Sequence, residues 1–242
     1  MGKIIVEKVN RDTLISAREN RLMFDKIAST YDFANRLFSL GMDINWRRRT
    51  IRQLSPHRDG NYLDIGTGTG DLALELLKQS PKSQVDAIDP SEKMLDMARK
   101  KSMHLGVSRR PRFQNADALH LPMPDNFFDG VISGFCFRNI EHRKKALDEM
   151  YRVVKPNGKV LVLEATYPSN SFIRLGYKLY TPIVPLIGKL FGDSKPYAYL
   201  LDSIEDFPKK ELVLNMFQES GFKNITIQPL ALGSVSIFEG SK

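Results

Sequence analysis

The chain reads NYLDIGTGTGD from Asn61 to Asp71, and this stretch decides the fold. Apolar residues lead into Asp64, three glycines then alternate, and the run LALELL follows. The pattern predicts a strand, a tight turn and a helix start, and a ligand can lie directly on glycines, which lack a Cβ. The spacing is G-x-G-x-G rather than the G-x-G-x-x-G of a dinucleotide site, because Asp71 stands where the last glycine belongs. A carboxylate there favours an uncharged or cationic ligand over a pyrophosphate. The alternative is a close-packed strand–helix turn that binds nothing.

Polar side chains follow further predicted strands. Residues 84–88 form a second predicted strand that ends at Asp89. An acid about 20 residues beyond the glycines is placed to bond a ribose diol. Ser91 is the predicted N-cap of the next helix. A third predicted element, residues 111–119, carries polar groups within reach of an adenine, and residues 128–133 predict a fourth strand.

Composition limits the classes of protein. The chain has 242 residues, 42% hydrophobic and 26% charged, which is ordinary for one soluble α/β domain with additions. No apolar run approaches the roughly 20 residues of a membrane span, and the N-terminus does not resemble a signal peptide. The single cysteine, Cys136, excludes an internal disulfide and fits a reducing cytosol, and the four histidines lack zinc-ligand spacing. We therefore expect a cytoplasmic protein without a structural metal. The net charge of +8 favours anionic partners.

The rest of the chain predicts an alternating α/β core with helical additions. Apolar residues recur at helical spacing from Arg21 to Leu40, whereas the first 20 residues are polar and indicate an extended arm. Strands and helices alternate from Tyr62 to Glu164, the pattern of a doubly wound sheet. The later predicted elements are a helix over 142–154 that residues 155–158 end, a strand over 159–164, an apolar insertion, a helix over 209–220 and strands over 223–228 and 233–239.

This part of the chain resembles a class I S-adenosylmethionine-dependent methyltransferase. The resemblance rests on four features in order along the chain: the glycine loop, the acid after the second strand, the polar end of the third strand and the DGVI strand. An NAD-dependent enzyme is the alternative for this half of the chain. The resemblance implies an α/β, Rossmann-like seven-stranded sheet with helices on both faces, an N-terminal helical lid and a helical insertion after the fifth strand. Two strands after the last helix suit the reversed edge hairpin of that class. The single domain would divide into a helical cap (1–55), a cofactor-binding core (56–164), the insertion (165–208) and a closing helix with strands (209–242).

Two segments narrow the resemblance to the ubiquinone/menaquinone biosynthesis C-methyltransferases. They are YDFANRLFSLGMDINW over residues 31–46 and RVVKPNGKVLVLEAT over residues 152–166, and GFCFRN over 134–139 resembles the segment after that family's fourth strand. The sequence departs from these signatures at four positions: Ala34 for Met, Asp43 for His, Asn157 for Gly and Thr166 for Ser. Asp43 places an anion where a base or cation is usual, which bears on substrate preference rather than on the reaction class.

Members of this family methylate a ring carbon of a prenylated quinol such as demethylmenaquinol, with S-adenosylmethionine as the cofactor. Matching the motif positions implies a cofactor site formed by Asp64, Gly66, Gly68, Thr69, Gly70, Asp89, Asn115, Ala116, Asp117 and Ser133. It implies catalytic roles for Arg138, Asn139, Tyr31 and Asp32. Structural alternatives exist: a buried Ser133 hydroxyl bonded to backbone, a surface salt bridge from Arg138 to Glu141 or Asp148, and helix packing for Tyr31 and Asp32. A methyltransferase for another small molecule or RNA is the alternative function.

The resemblance also bears on partners. A prenylated quinol lives in a bilayer, so we expect the protein to make peripheral contact with a membrane surface. The basic charge and the apolar insertion between Phe172 and Phe191 would serve that contact, although ordinary helix packing is the alternative for the insertion. The sequence has no recognisable nucleic-acid motif, so no such partner is expected, and a homo-oligomer stays open.

Overall fold

A computed structural model describes residues 15–107, 111–168, 174–176, 181, 183–190 and 194–242. These residues contain a seven-stranded sheet with the strand order β3-β2-β1-β4-β5-β7-β6. The strands are β1 Asn61–Ile65, β2 Gln84–Asp89, β3 Pro111–Asn115, β4 Phe128–Gly134, β5 Val154–Ala165, β6 Lys223–Leu230 and β7 Val235–Ser241.

The pairing confirms the expected class of fold. Strand β1 lies between β2 and β4 in parallel register, with Leu63 opposite Asp86 on one side and Val131 on the other. Strand β7 runs antiparallel between β5 and β6, which is the predicted reversed edge hairpin. The strand order changes direction between β1 and β4, and ligands of open α/β sheets bind beyond the carboxyl ends of the strands at such a point.

Helices cover both faces of the sheet, as predicted. Alternate residues of a strand point to opposite faces, so Leu63 and Val131 join one buried cluster whereas Tyr62 and Ile132 join another. The helices are α1 Ala17–Ile27, α2 Tyr31–Phe38, α3 Met42–Leu54, α4 Asp71–Gln79, α5 Glu92–His104, α6 Arg143–Val153, α7 Ile183–Leu190, α8 Lys195–Glu205 and α9 Lys210–Glu219. Ser91 caps α5 as predicted, because its hydroxyl accepts a hydrogen bond from the Met94 amide at 3.1 Å.

The N-terminal unit differs from the prediction in two ways. Helix α1 begins at Ala17, so residues 17–20 are not part of an extended arm; residues 1–14 of that arm lie outside the described residues. Ser16 and Glu19 form a reciprocal capping box, the signal that the prediction overlooked. The prediction also missed α3, whose buried side includes Asp43, Arg47 and Thr50. Polar residues on a buried face conceal helical periodicity, since periodicity is read from apolar residues.

Strand β5 begins earlier than predicted. It follows α6 directly at Val154, so residues 155–158 belong to the strand rather than to a separate turn. The ladder to β4 is irregular between Phe128 and Gly130, where the extra residues are accommodated. Asn157 has a φ of 67°, the left-handed conformation in which Asn commonly replaces Gly.

The insertion contains α7 and α8 in its described part. Val184 of α7 and Tyr197 of α8 pack in one buried cluster with Ala34 of α2, so these helices cover the N-terminal unit. Phe172 and Phe191, which bound the predicted apolar segment, lie outside the described residues. Within the described ranges, no helix combines the length and the hydropathy needed to cross a bilayer.

Candidate active site

Two neighbouring cavities lie beyond the carboxyl ends of β1, β2 and β4. The larger cavity has a volume of about 480 Å³ and lies between the glycine loop and α1. The smaller cavity has a volume of about 270 Å³ and is enclosed mainly by apolar residues of α1, α2, α3 and α8. They share one wall, which consists of Phe24, Tyr31, Arg47 and Phe135. Groups bound in the two cavities would therefore meet at this wall.

The three glycines of the loop have different roles. Gly66 and Gly68 line the larger cavity with φ angles of 66° and 56°. A Cβ on Gly66 would lie 2.1 Å from the Cys136 sulfur, whereas a Cβ on Gly68 would meet only the edge of Tyr31 at 4.0 Å. Gly68 therefore leaves room for a ligand. Gly70 does not line the cavity; a Cβ there would lie 3.0 Å from the Ala98 Cβ, so this glycine allows α4 to approach α5.

Asp64 places a buried carboxylate in the wall of the larger cavity. Its Oδ2 accepts hydrogen bonds from the Thr67 hydroxyl at 2.6 Å and from the Ala73 amide at 3.1 Å. Its Oδ1 is buried and has no hydrogen-bond partner among the described residues. Burial raises the pKa of the Asp64 carboxyl to about 7. An unpaired carboxylate oxygen of this kind suits a cationic ligand group.

Asp89 ends β2 at the opposite side of the glycine loop. One carboxylate oxygen accepts the Gly68 amide at 2.8 Å and the other accepts the Ser91 amide at 2.8 Å. The side chain is thereby fixed in the cavity wall, and burial raises its pKa to about 6. Each oxygen retains a free lone pair, so the group can also accept from a ribose diol.

The end of β3 supplies the far wall. Asn115, Ala116 and Asp117 all line the larger cavity, as predicted from the sequence position. The Asn115 amide donates to the Pro90 carbonyl at 2.9 Å, and one Asp117 oxygen accepts the Leu119 amide at 2.9 Å. These bonds fix the turn in the cavity wall.

Thr69 and Asp32 are joined to each other. The Thr69 hydroxyl donates to Asp32 at 2.5 Å, and Lys101 bridges Asp32 and Asp71 at 2.6 Å each. Thr69 lines the larger cavity, but Asp32 lines neither cavity. The structure thus gives Asp32 a role in holding α2 against the glycine loop rather than a place beside a substrate.

The charge of Asp71 is neutralised. The Arg36 Nη2 lies 2.8 Å from the Asp71 Oδ2. Burial alone would raise the pKa of Asp71, but the cations of Arg47, Lys101 and Arg36 lower that pKa below its ordinary value. Asp43, which stands at the usual His position, forms ion pairs with Arg36 and Arg47 and is buried. The anion at this position therefore joins α2 to α3 instead of presenting a free charge to a ligand.

Arg138 lies in the wall of the smaller cavity and is buried. Its Nη1 donates to Glu164 at 2.8 Å and to the Phe135 carbonyl at 2.6 Å, and its Nε donates to the Ser203 hydroxyl at 3.2 Å. The surface salt bridge to Glu141 or Asp148 is therefore wrong: the partner is Glu164, at the end of β5. The guanidinium is held rigidly in the wall of the smaller cavity.

Asn139 follows Arg138 and lines the larger cavity. Its side-chain oxygen accepts from the Tyr199 hydroxyl at 3.3 Å, and that hydroxyl accepts from the Asn20 amide at 3.0 Å. These two hydrogen bonds link three segments that are distant in sequence: α1, α8 and the turn after β4. The sequence prediction missed Tyr199 and Asn20, because neither belongs to a motif and they are 179 residues apart.

Ser133 does not enter the larger cavity. Its hydroxyl donates to the Ile65 carbonyl at 2.8 Å, and the side chain is buried between β4 and β1. The structural alternative thus describes Ser133 better than cofactor binding does.

The larger cavity suits S-adenosylmethionine. The unpaired Oδ1 of Asp64 suits the ammonium of the methionine part, and Asp89 suits the ribose diol. The open side of Gly68 leaves space between these two groups. Arg18 and Arg21 of α1 also line this cavity, and their cations suit the methionine carboxylate. Neither arginine belongs to a sequence motif that would have identified it.

Comparisons with known proteins agree with this geometry. The model of the ubiE/COQ5 methyltransferase family matches residues 13–242. The demethylmenaquinone methyltransferase of Thermus thermophilus is 40% identical over 222 residues, which cover 91% of this chain and 100% of the relative. The ubiquinone/menaquinone biosynthesis C-methyltransferase UbiE of Geotalea daltonii is 36% identical, with 91% of this chain and 94% of the relative covered.

Solved structures resemble the fold. A SAM-dependent methyltransferase from Thermotoga maritima superposes with a TM-score of 0.64 at 20% sequence identity. The superposition covers 91% of this chain and 98% of that protein. At this identity the likeness concerns the fold alone.

Proposed function

The chain belongs to the ubiE/COQ5 methyltransferase family, and we propose that it methylates a ring carbon of a demethylated quinol at the place where its two cavities adjoin. It is an S-adenosylmethionine-dependent C-methyltransferase of quinone biosynthesis. The observation that carries the arrangement of the two substrates is the shared wall of Phe24, Tyr31, Arg47 and Phe135. The family match favours a quinol over the RNA and the other small molecules that the sequence left open.

In this proposal the larger cavity holds the cofactor. Asp64 pairs with its ammonium, Asp89 accepts from its ribose hydroxyls, and the end of β3 faces its adenine. S-adenosylmethionine supplies a methyl group that its sulfonium already activates. The protein therefore has to hold the acceptor carbon in line with that methyl group, which is mainly a matter of proximity and orientation.

The smaller cavity holds the quinol ring. A quinol becomes nucleophilic at a ring carbon when its neighbouring hydroxyl loses a proton to solvent, so negative charge grows on that oxygen. Once the methyl group has left the sulfonium for that carbon, the carbon loses its own proton and the oxygen is protonated again, so that one proton is released for each methyl group transferred. Arg138, fixed by Glu164, lies where it can stabilise this charge without rearranging. Tyr31 belongs to the shared wall, and burial raises the pKa of its hydroxyl, which therefore stays protonated and can donate to the same oxygen. Asn139 faces the larger cavity and orders the boundary between them.

Helices α1 and α2 exclude water from this reaction. Residues of α1 line both cavities, and the chain Asn20–Tyr199–Asn139 joins that helix to the site. Closure of this kind strengthens every electrostatic interaction inside. Opening would have to break these hydrogen bonds, so cofactor and quinol exchange would be coupled to movement of α1.

The test is methyl transfer from labelled S-adenosylmethionine to a panel of tail-less and prenylated demethylated quinols, with RNA as a negative control. We expect label on the quinol ring carbon alone. Arg138→Ala should lower turnover on the order of 10²-fold, the scale of one lost transition-state donor, with cofactor affinity unchanged. Arg138→Lys keeps the charge and separates electrostatics from folding. Labelled RNA, or an Arg138→Ala enzyme with full turnover, would contradict the proposal.

Peripheral contact with a membrane surface is part of the proposal. The support is chemical: the relatives are named for ubiquinone, menaquinone and demethylmenaquinone, which are apolar molecules, and the chain carries a net charge of +8 that attracts anionic lipid. Lipid binding that weakens as salt rises is the expected behaviour, because salt screens exposed charges.

A further inference from the structure

An exposed apolar surface lies where α2 ends and α3 begins. Its most exposed residue is Leu40, in the turn between the two helices, which is 82% exposed. The neighbouring residues are Leu37 on α2 (39% exposed) and, on α3, Met42 (43%) and Ile44 (40%). All four residues lie in the short stretch 37–44 that joins α2 to α3. Ala34, three residues before Leu37 and on the same side of α2, packs against α7 and α8, so Leu37 continues this apolar side of the helix into solvent. Several large apolar side chains exposed within one short stretch mark a contact surface.

Two leucines of this region have a backbone conformation that leucine rarely adopts. Leu40 has a φ of 51°, and Leu232, in the turn between β6 and β7, has a φ of 56° and is 80% exposed. Left-handed backbone is strained for an L-residue with a side chain, and Gly or Asn normally occupies it. Neither side chain is buried, so packing in the folded chain does not explain why leucine stands there. Strained residues of this kind point to a function.

Both turns border the smaller cavity. Ser39 and Met42, on either side of Leu40, line that cavity, and so do Ala231 and Ser234, on either side of Leu232. The cavity wall is mainly apolar, so the exposed leucines continue an apolar surface outward from it. Leu40 and Leu232 themselves line neither cavity.

Positive charge adjoins the same surface. Arg49 and Arg52 are exposed along α3, beyond Ile44. The Lys210 ammonium donates to the Gly233 carbonyl at 3.1 Å, directly beside Leu232. Exposed apolar side chains next to cations are the composition of a surface that meets an anionic lipid interface.

We propose that the Leu40 and Leu232 turns, with Leu37, Met42 and Ile44, form a docking face for a bilayer that contains anionic lipid. The two leucines insert between the lipid head groups, and the tail of the quinol passes from the bilayer into the smaller cavity between them. The identity of the tail rests on the proposed function; the lipid contact does not. This face belongs to the N-terminal unit and the edge hairpin; the predicted role of the segment 172–191, which is described only in part, stays a separate prediction.

The test uses the full chain and vesicles of phosphatidylcholine with phosphatidylglycerol at low salt. Leu40→Asn and Leu232→Asn should each lower the vesicle partition coefficient on the order of tenfold, because one leucine stays in water. Both variants should unfold at the same or a higher temperature, since Asn tolerates left-handed backbone. The control is Phe127→Asn, which removes an exposed apolar side chain just before the central strand β4, at its amino end and away from both cavities, and should bind vesicles like the unchanged protein.

Two enzyme measurements accompany the binding assay. The leucine variants should keep their S-adenosylmethionine affinity and their turnover on a tail-less quinol, and should lose turnover on a prenylated quinol in vesicles. Vesicle binding equal to that of the unchanged protein overturns the proposal, and so does an unchanged protein that does not bind. A dimer in sedimentation that Leu40→Asn dissociates would assign the face to a second copy instead. Failure to methylate any quinol would refute the proposed function alone, because the vesicle arm is independent of it.

Discussion

S-adenosylmethionine should bind more tightly as the pH rises from 6 to 7.5, and Asp64 should be the main cause. In the cofactor-free protein, burial raises the pKa of this carboxyl to about 7, so at pH 6 it is mostly protonated. The cofactor's ammonium pairs with the ionised form only. Binding at pH 6 must therefore remove the proton from Asp64, which costs free energy. This cost is absent at a pH where the carboxyl is already ionised.

The magnitude follows from the pKa. With a pKa of about 7, the ionised fraction of Asp64 rises about eightfold between pH 6 and 7.5, and the affinity rises with it. Asp89, with a pKa of about 6, adds about a factor of two. The window ends at pH 7.5 because an α-amino group such as the cofactor's loses its own proton at about pH 8.

Titration calorimetry at pH 6 in two buffers of different ionisation enthalpy counts the protons released. We expect about 0.9 from Asp64 and about 0.5 from Asp89. Asp64→Asn should leave only the smaller number and weaken binding at pH 7.5. S-adenosylhomocysteine is the control, because it retains the ammonium and the ribose and should release the same protons. An unchanged proton count in Asp64→Asn, or an affinity that does not vary with pH, would refute the reasoning.

The raised pKa of Asp64 also makes the stability of the protein depend on pH. Because the folded pKa lies above the ordinary value of 3.8, the folded protein binds more protons than the unfolded chain between about pH 4 and 7. The free energy of unfolding of the cofactor-free protein should therefore fall as the pH rises through that window. Bound S-adenosylmethionine should reduce this loss, and thermal unfolding with and without the cofactor measures it.

Two further substitutions test the site. Gly66→Ala should prevent cofactor binding and lower the unfolding temperature far more than the control Gly106→Ala. Both glycines have positive φ, but only a Cβ on Gly66 would clash, 2.1 Å from the Cys136 sulfur. Equal effects on the unfolding temperature would mean that the clash relaxes freely. Tyr199→Phe removes the hydroxyl that joins Asn20 to Asn139, so amide hydrogen exchange in α1 should speed up and cofactor affinity should fall on the order of tenfold, the scale of one buried donor left unpaired. Unchanged amide exchange in α1 would show that the hydrogen bonds of Tyr199 do not hold α1 over the cavities.

The sequence determined the architecture and much of the wall of the larger cavity. Alternating glycines after an apolar run, and an acid at the end of the next strand, are local patterns, and the residues they single out, Asp64, Gly66, Gly68 and Asp89, do line that cavity. The reversed edge hairpin was also predictable, because two strands after the last helix must pair with each other and with β5.

The tertiary structure decided what depends on contacts between distant residues. Helix α3 escaped prediction because Asp43 and Arg47 are buried as an ion pair, and a sequence pattern cannot reveal that two charges neutralise each other. Gly70 and Ser133 occupy motif positions, yet packing between helices and a backbone carbonyl determines their surroundings.

The partners of the catalytic candidates were equally hidden. Arg138 pairs with Glu164, 26 residues away on the neighbouring strand, and Tyr199 reaches Asn20 across almost the whole chain. Local patterns report which face of an element is buried, because burial follows the periodicity of that element. Which side chain meets which across the cavity depends on how the elements pack, and only the folded chain determines that.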